Sequence, residues 1–334
     1  LVAWIFYWKE VLGRLNHRSK KLKYFKERGY SMANRHFLRI WDFTKEEVEN
    51  LIERALSFKK ERTPEANLKG KILALVFEKA STRTRVSFES AMIKLGGSTL
   101  FLSRQDLQLA RGEPIKDTAR VLARYVDAVV LRTYHQETLE EFARYSQIPV
   151  INGLSDRFHP CQVLSDIMTV IEKGKDLYKS KILWLGDGNN VAQSWIEASA
   201  LLGFPLVLCC PKGFEPEETL LKEARLKYQA KIEVLHSVEE AIRSAEVINT
   251  DVWISMGQEE ESQRRREAFK GFTLNQELLS KAHPEAIVLH CLPAHRGEEI
   301  TDEVLESKQS VVWDQAENKM WFHMALLDFL INGH

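Results

Sequence analysis

Short apolar runs alternate with amphipathic stretches from residue 37 onward, the pattern of α/β layering around parallel sheets. A first series of strand-like runs reads "KILALVF", "STLFL" and "DAVVLR". A second reads "SKILWLGDG", "PLVLCC", "KIEVLH", "EVINTDVW", "AIVLHCLP" and "SVVWD". Ahead of both, Thr44 opens an amphipathic helix with Glu47 in the capping-box position. A helical stretch from about Pro160 to Lys173 separates the two series, and "QAENKMWFHMALLDFLI" reads as a closing helix. The expected fold is α/β, with two doubly wound parallel-sheet domains joined by interdomain helices. The boundaries predicted are 32–165 and 166–312, with 313–334 a C-terminal helix packing back on the first domain.

Composition narrows the class. Hydrophobic residues at 44% and charged residues at 28% are those of an ordinary soluble chain. Lys+Arg and Asp+Glu balance at 47 each, which argues against nucleic acid or an acidic membrane as partner. No apolar run approaches the ~20 residues of a spanning helix. The cysteines Cys161, Cys209, Cys210 and Cys291 have neither metal-binding nor CxxC spacing, so buried free thiols and a reducing, cytoplasmic setting are expected. Residues 1–31 carry eight Lys/Arg against two Glu. There the apolar "LVAWIFYW" precedes the basic residues, the reverse of a secretory signal. The segment reads as a basic N-terminal extension ahead of a domain starting near Met32, with a targeting or membrane-surface helix as the alternative.

In open parallel sheets, ligands gather at the carboxyl ends of strands. Polar clusters follow the apolar runs at those places. In "FEKASTRTRVSFE", Ser81, Thr82, Arg83 and Thr84 place hydroxyls and a guanidinium at a helix start, where free N–H groups and the dipole favour an anion. The same residues also suit a plain N-cap followed by an Arg85–Glu89 pair. Arg132 ends "DAVVLRT", placed for an anion or carbonyl contact, or simply for solvent. In "SDRFHPCQ", Pro160 suits a first helical turn, which puts His159 at the cap and Gln162 one turn on. "LGDGNN" lacks the third glycine of a dinucleotide fingerprint, because Val191 stands there. "TDVWISMG" sets Asp251, Ser255 and Met256 after a strand, chemistry able to hold an ammonium group. The "EEESQRRREAFKGF" that follows reads as a charged loop or solvated helix. In "HCLPAHRG", Pro293 breaks any shared helical face for His290, Cys291 and His295, which disfavours zinc. Cys291 is left as a nucleophile or as a thiol aimed at a ligand.

Taken in order, "STRTR", "HPCQ", "DVWISMG" and "HCLPAHRG" resemble the transcarbamoylases, the ornithine carbamoyltransferases most closely, over residues 36–331. That resemblance implies transfer of a carbamoyl group from carbamoyl phosphate to the δ-amine of L-ornithine, giving citrulline and phosphate, without metal or organic cofactor. It makes 32–165 the carbamoyl phosphate-binding domain and 166–312 the ornithine-binding domain. Ser81, Thr82, Arg83 and Thr84 match the phosphate grip, and Arg132, His159 and Gln162 the contacts to the carbamoyl end. Asn190, Asp251, Ser255 and Met256 match residues that hold ornithine. Cys291 and Leu292 stand beside the reacting amine and carbonyl, which makes Arg132, His159, Asp251 and Cys291 the expected catalytic set. Gln108 matches a residue that reaches a neighbouring subunit's site, so a homotrimer or a multiple of trimers is implied. One departure stands out: "QAENKM" has Lys319 where the resemblance implies a phosphate-contacting arginine, keeping the charge without the bidentate fork. Putrescine or an acylated ornithine is the rival acceptor. A non-catalytic relative would be expected to lack Arg83, Arg132, His159 or Cys291, and all four are present.

Overall fold

The computed structural model describes residues 35–62, 68–106, 112–254 and 262–333. The basic extension 1–31 lies outside them. A 3-10 turn (Ile40–Asp42) leads into α1 (Lys45–Glu61), β1 (Ile72–Phe77), α2 (Thr82–Lys94) and β2 (Ser98–Ser103). Then come α3 (Ile115–Leu122), β3 (Ala128–Arg132), α4 (Gln136–Tyr145) and β4 (Val150–Leu154). Helix α5 (Pro160–Glu172) opens the second half, followed by β5 (Ile182–Leu185), α6 (Asn190–Leu202), β6 (Leu206–Cys209), α7 (Glu218–Tyr228) and β7 (Ile232–Leu235). The chain continues through α8 (Val238–Ile242), β8 (Val247–Thr250), α9 (Ser262–Ala268), α10 (Gln276–Leu279), β9 (Ile287–His290) and α11 (Asp302–Leu305). Helix α12 (Val312–Asn332) closes it.

The strands form two sheets, in the orders β2-β1-β3-β4 and β7-β6-β5-β8-β9, and every pairing is parallel. Their central strands are buried on both faces, as expected of apolar runs covered by helices on either side. Each sheet has a topological switch point, between β1 and β3 in the first and between β5 and β8 in the second. The crevices that open there at the carboxyl ends are the places where such sheets bind ligands.

Local chemistry explains most element starts. Thr44 Oγ1 accepts from Glu47 N at 3.2 Å and Glu47 Oε2 accepts from Thr44 N at 3.0 Å, the reciprocal cap expected of α1. One strand is not among the runs read from the pattern, and one of those runs is not a strand. The run "VINGL" pairs with β3 as β4, although Asn152 and Gly153 interrupt its apolar pattern. Asn152 is fully buried there, and its amide donates to Leu38 O at 2.8 Å. The segment "SVVWD" is not a strand. Val311 N donates once to Val288 O at 3.0 Å, and then Gln315 N donates to Val311 O at 2.9 Å to start α12. Two β-branched residues are too few to extend the sheet when "DQAENKM" follows with strong helix propensity.

Helix α12 packs against α1, α2 and α5 and also meets β9. One hydrophobic cluster runs through these helices and both sheets, with Trp184, Trp195 and Phe322 essentially sealed from solvent. A second cluster lies around Leu185, Trp253, Phe269 and Val288. Among the described residues, no helix is long and apolar enough to cross a membrane.

Candidate active site

The carboxyl end of β1 runs into the start of α2, where Ser81 caps the helix by accepting from Thr84 N at 3.3 Å. Thr82 and Arg83 are exposed on the first turn, while Thr84 is buried. Arg85 turns away, pairing with Glu89 at 3.0 Å and lying over the Phe101 ring. The helix cap is thus formed by the residues expected to grip an anion, and Arg85 belongs to the packing. Glu78 stitches this loop to the end of β3. Its N–H donates to Arg132 O at 2.8 Å, and its carboxylate accepts from the Thr133 hydroxyl and from Tyr134 N at 3.1 Å.

Arg132 is buried, and among the described residues its Nε has no hydrogen-bond partner. Burial brings its guanidinium down to about 10, with the Cys291 side opposing the shift and Arg83 adding to it. His159 caps α5 with Pro160 in the first turn, and its backbone N donates to Ser194 Oγ at 2.8 Å. Its Nδ1 is buried and equally unpartnered among the described residues. Burial first, then Lys319 and Arg132, hold this imidazole neutral, well below its ordinary range. Buried polar atoms without partners are rare in native proteins, and Arg132 and Lys319 both act electrostatically on His159, so these groups lie near one another.

Lys319 reaches this crevice from α12. Its Nζ donates to Thr84 Oγ1 at 3.1 Å and to Gln162 Oε1 at 2.9 Å. Burial, with Arg132 second, lowers the ammonium to about 8. A cleft of about 340 Å³ lies here, lined by Thr82, Arg83, Gln162, Cys291, Gln315 and Lys319 among others.

The second sheet contributes His290 and Cys291 to the lining and further polar residues near them. After β5, the Asn189 side chain caps α6 by accepting from Val191 N and Ala192 N at 2.9 and 3.1 Å, and its Nδ2 donates to Asp251 Oδ2 at 2.9 Å. Gly188 is required in this loop, because a Cβ there would sit 2.2 Å from Pro216 N. Asn190 donates to Ser155 O at 2.7 Å, linking α6 to the loop after β4. Asp251, just past β8, accepts the Cys291 thiol at 3.0 Å. Burial and the Asp251 carboxylate push that thiol well above its usual range. A thiol held protonated in this way donates to the Asp251 carboxylate and orients it.

Leu292 follows with φ of 56°, a strained left-handed residue of the kind that gathers at functional sites. Its N–H donates to His290 Nδ1 at 2.9 Å, and His290 Nε2 meets buried Glu299 at 2.9 Å. Asp251, His290 and Cys291 lie close enough to suggest a metal trio. Both ring nitrogens of His290 are already occupied, so the trio fits a hydrogen-bonded scaffold better than a ligand set.

Thr82, Arg83, Gln162, Cys291 and Lys319 line one cleft, Thr84 joins them through Lys319 and Asp251 through the Cys291 thiol, Arg132 and His159 are coupled to Lys319 electrostatically, and Asn190 instead bonds the loop after β4. Gln108, Ser255 and Met256 lie outside the described residues. Sequence reasoning missed four supports. Gln315, which lines the cleft, donates to the buried Asp166 at 2.7 Å, and Asp166 could have been found as the acid one turn after Gln162. Asp187 forms an ion pair with Arg265 at 2.8 Å, buried on both sides. Arg265 also donates to Trp253 O at 3.0 Å, so the charged stretch is not wholly solvated.

Comparison with known proteins agrees with this geometry. The family model "Aspartate/ornithine carbamoyltransferase, carbamoyl-P binding domain" matches residues 35–172, and its "Asp/Orn binding domain" matches 178–330. A protein from Geobacter sulfurreducens named ornithine carbamoyltransferase is 53% identical over 300 residues, 89% of this chain and 99% of the relative. One of the same name from Methanoculleus marisnigri is 53% identical over 89% of this chain and 97% of its own. The solved ornithine carbamoyltransferase from Pyrococcus furiosus superposes with a TM-score of 0.86 at 48% identity, covering 91% of this chain and 99% of that one. Two parallel sheets, matched family models over both and relatives aligned almost end to end place this chain in the aspartate/ornithine carbamoyltransferase family.

Proposed function

We propose that the protein transfers the carbamoyl group of carbamoyl phosphate to the δ-amine of L-ornithine, giving L-citrulline and phosphate. The observation that carries this reading is the pair of buried, unpartnered groups, Arg132 Nε and His159 Nδ1, beside the Lys319 ammonium at the head of α2. Ser81, Thr82, Arg83 and Thr84 bind the phosphate, with Lys319 behind them, where helix N–H groups and cations favour a dianion. Arg132 and His159 donate to the carbamoyl oxygen, with Gln162 orienting the same end. As the amine attacks the carbonyl carbon, negative charge grows on that oxygen and the two donors stabilise it in place. The bond from carbon to the bridging oxygen of the acyl phosphate then breaks, phosphate leaves with the electron pair, and the proton of the attacking nitrogen passes to a base, for which the departing phosphate is available. An alkylamine with a pKa near ~10 must attack as the neutral base, so the site has to favour that form.

The Asn190 and Asp251 side of the cleft, together with Ser255 and Met256, holds the α-amino acid end of ornithine. Cys291 and Leu292 border the reacting centre, with the thiol fixing the Asp251 carboxylate. Residues 32–165 form the carbamoyl phosphate-binding domain, 166–312 the ornithine-binding domain, and 313–334 the helix that returns to the first. A trimer-based assembly with Gln108 reaching a neighbouring site is part of this reading. The exposed apolar side chains Val86, Ile93 and Leu100 on α2 and the edge strand β2 support a covered face there. The setting is cytoplasmic arginine synthesis, or citrulline breakdown in reverse.

The test is citrulline formation from carbamoyl phosphate with ornithine, putrescine or N-acetylornithine as acceptor. Ornithine is the expected acceptor, and no product with it overturns the reading.

A further inference from the structure

Three carboxamides converge on one carboxylate behind the cleft. Asp166 is fully buried on α5, one turn after Gln162. Its Oδ1 accepts from Gln162 Nε2 at 2.8 Å and from Gln315 Nε2 at 2.7 Å, and its Oδ2 from Asn249 Nδ2 at 3.3 Å. An ionised carboxylate only accepts, so each amide turns its nitrogen inward and its oxygen away. The Gln162 oxygen then meets Lys319 Nζ at 2.9 Å, and the Gln315 oxygen meets His290 N at 2.8 Å. These two oxygens serve different residues of the cleft lining. Lys319 also holds Thr84 in the phosphate loop, whereas His290 is the residue before Cys291. An amide without such an anchor can turn over, setting its NH2 against an ammonium or a backbone N–H. Among the groups that act on Lys319 are Arg132 at the end of β3, His159, Cys161 and Asp166 from the α5 side, Cys291 after β9 and His323 on α12. Asp166 is a carboxylate within that largely cationic or neutral company.

We propose that Asp166 is a positioning residue for carbamoyl transfer: its carboxylate fixes the orientation of Gln162 and Gln315 and places a negative charge one amide away from the Lys319 ammonium. The inference rests on the carbamoyl-transfer reading of this cleft. Being sealed from solvent, Asp166 does not touch substrate, and acts through the amides it anchors and through its charge.

Two variants separate its roles. Asp166→Asn keeps the shape and one acceptor oxygen for the two glutamines. Asn249, whose Oδ1 has no partner among the described residues, turns over to accept from the new amide. What is lost is the charge. The alkaline limb of kcat/KM for carbamoyl phosphate is expected to move down by about one pH unit, as removal of a neighbouring anion requires. Gln315→Leu releases the Cys291 side alone. It is expected to raise KM for ornithine and lower kcat while leaving KM for carbamoyl phosphate within about two-fold, since Gln162 keeps its anchor. An Asp166→Asn profile that superposes on the wild type overturns the inference. So does a Gln315→Leu enzyme in which both KM values rise alike, and this second variant decides the matter if the first does not fold. A wild-type enzyme that makes no citrulline overturns the carbamoyl-transfer reading instead.

Discussion

Replacing Lys319 with arginine probes the role proposed for this lysine in holding the phosphate. The ammonium lies buried between Thr84 Oγ1 and Gln162 Oε1, and burial with Arg132 nearby lowers it to about 8. The sign follows directly. The cation favours a bound dianion, so affinity for carbamoyl phosphate is full below that midpoint and falls as pH rises through it. With a midpoint of about 8, the charged fraction drops from about ten-elevenths near pH 7 to about one-eleventh near pH 9. That is roughly a ten-fold loss of apparent affinity, about 1.4 kcal/mol. An arginine in the same crevice stays charged across this range, as Arg132 does with a guanidinium lowered only to about 10. The Cys291 thiol, pushed well above its usual range, does not titrate in the window either. Binding of carbamoyl phosphate without ornithine, measured by calorimetry near pH 7 and pH 9, is the direct assay. Lys319→Arg should bind more tightly near neutrality through its bidentate fork, and its advantage should widen about ten-fold near pH 9. Unchanged affinity at neutrality would refute the argument from the fork. Parallel pH dependence in the two proteins would refute the argument from charge.

Two further predictions concern supports away from the reacting atoms. Arg265→Met leaves Asp187 as an unpaired buried carboxylate, already pushed up to about 6 by burial, and should destabilise the fold by about 3 kcal/mol in urea unfolding. Asp187→Asn added to it should recover part of that loss, and no recovery would show that packing, not charge, is at stake. His36 Nδ1 accepts from Val150 N at 3.1 Å, and burial lowers this imidazole from 6.5 to about 4. Its neutral form therefore contributes stability that is whole above about pH 6.5 and fades as pH falls toward 4, about 2 kcal/mol being lost near pH 5. A His36→Gln variant should show a shallower decline in stability between pH 7 and pH 5, and equal slopes would contradict the assignment.

What was legible in the chain is what local chemistry and the switch-point rule decide. Ser81, His159 and Asn190 stand where helices begin, and Arg132, Asp251 and Cys291 where strands end. Such positions are fixed by propensity and period within a few residues. What was not legible depends on partners far along the chain. Asp166 meets Gln315 across 149 positions, and Asp187 meets Arg265 across 78. Nothing in "SQRRREA" says which arginine is buried, because helix register against the Asp187 loop decides it. The same holds for "VINGL" and "SVVWD". An interrupted run becomes a strand because its Asn finds Leu38 O, and a β-branched run starts a helix because the sheet has room for one bridge only. The groups proposed to touch substrate therefore sit where the chain's own rules put them, at strand ends and helix starts. Their orientation is set by long-range polar anchors, and substitutions at those anchors should alter pH dependence and the balance of KM against kcat before they abolish activity.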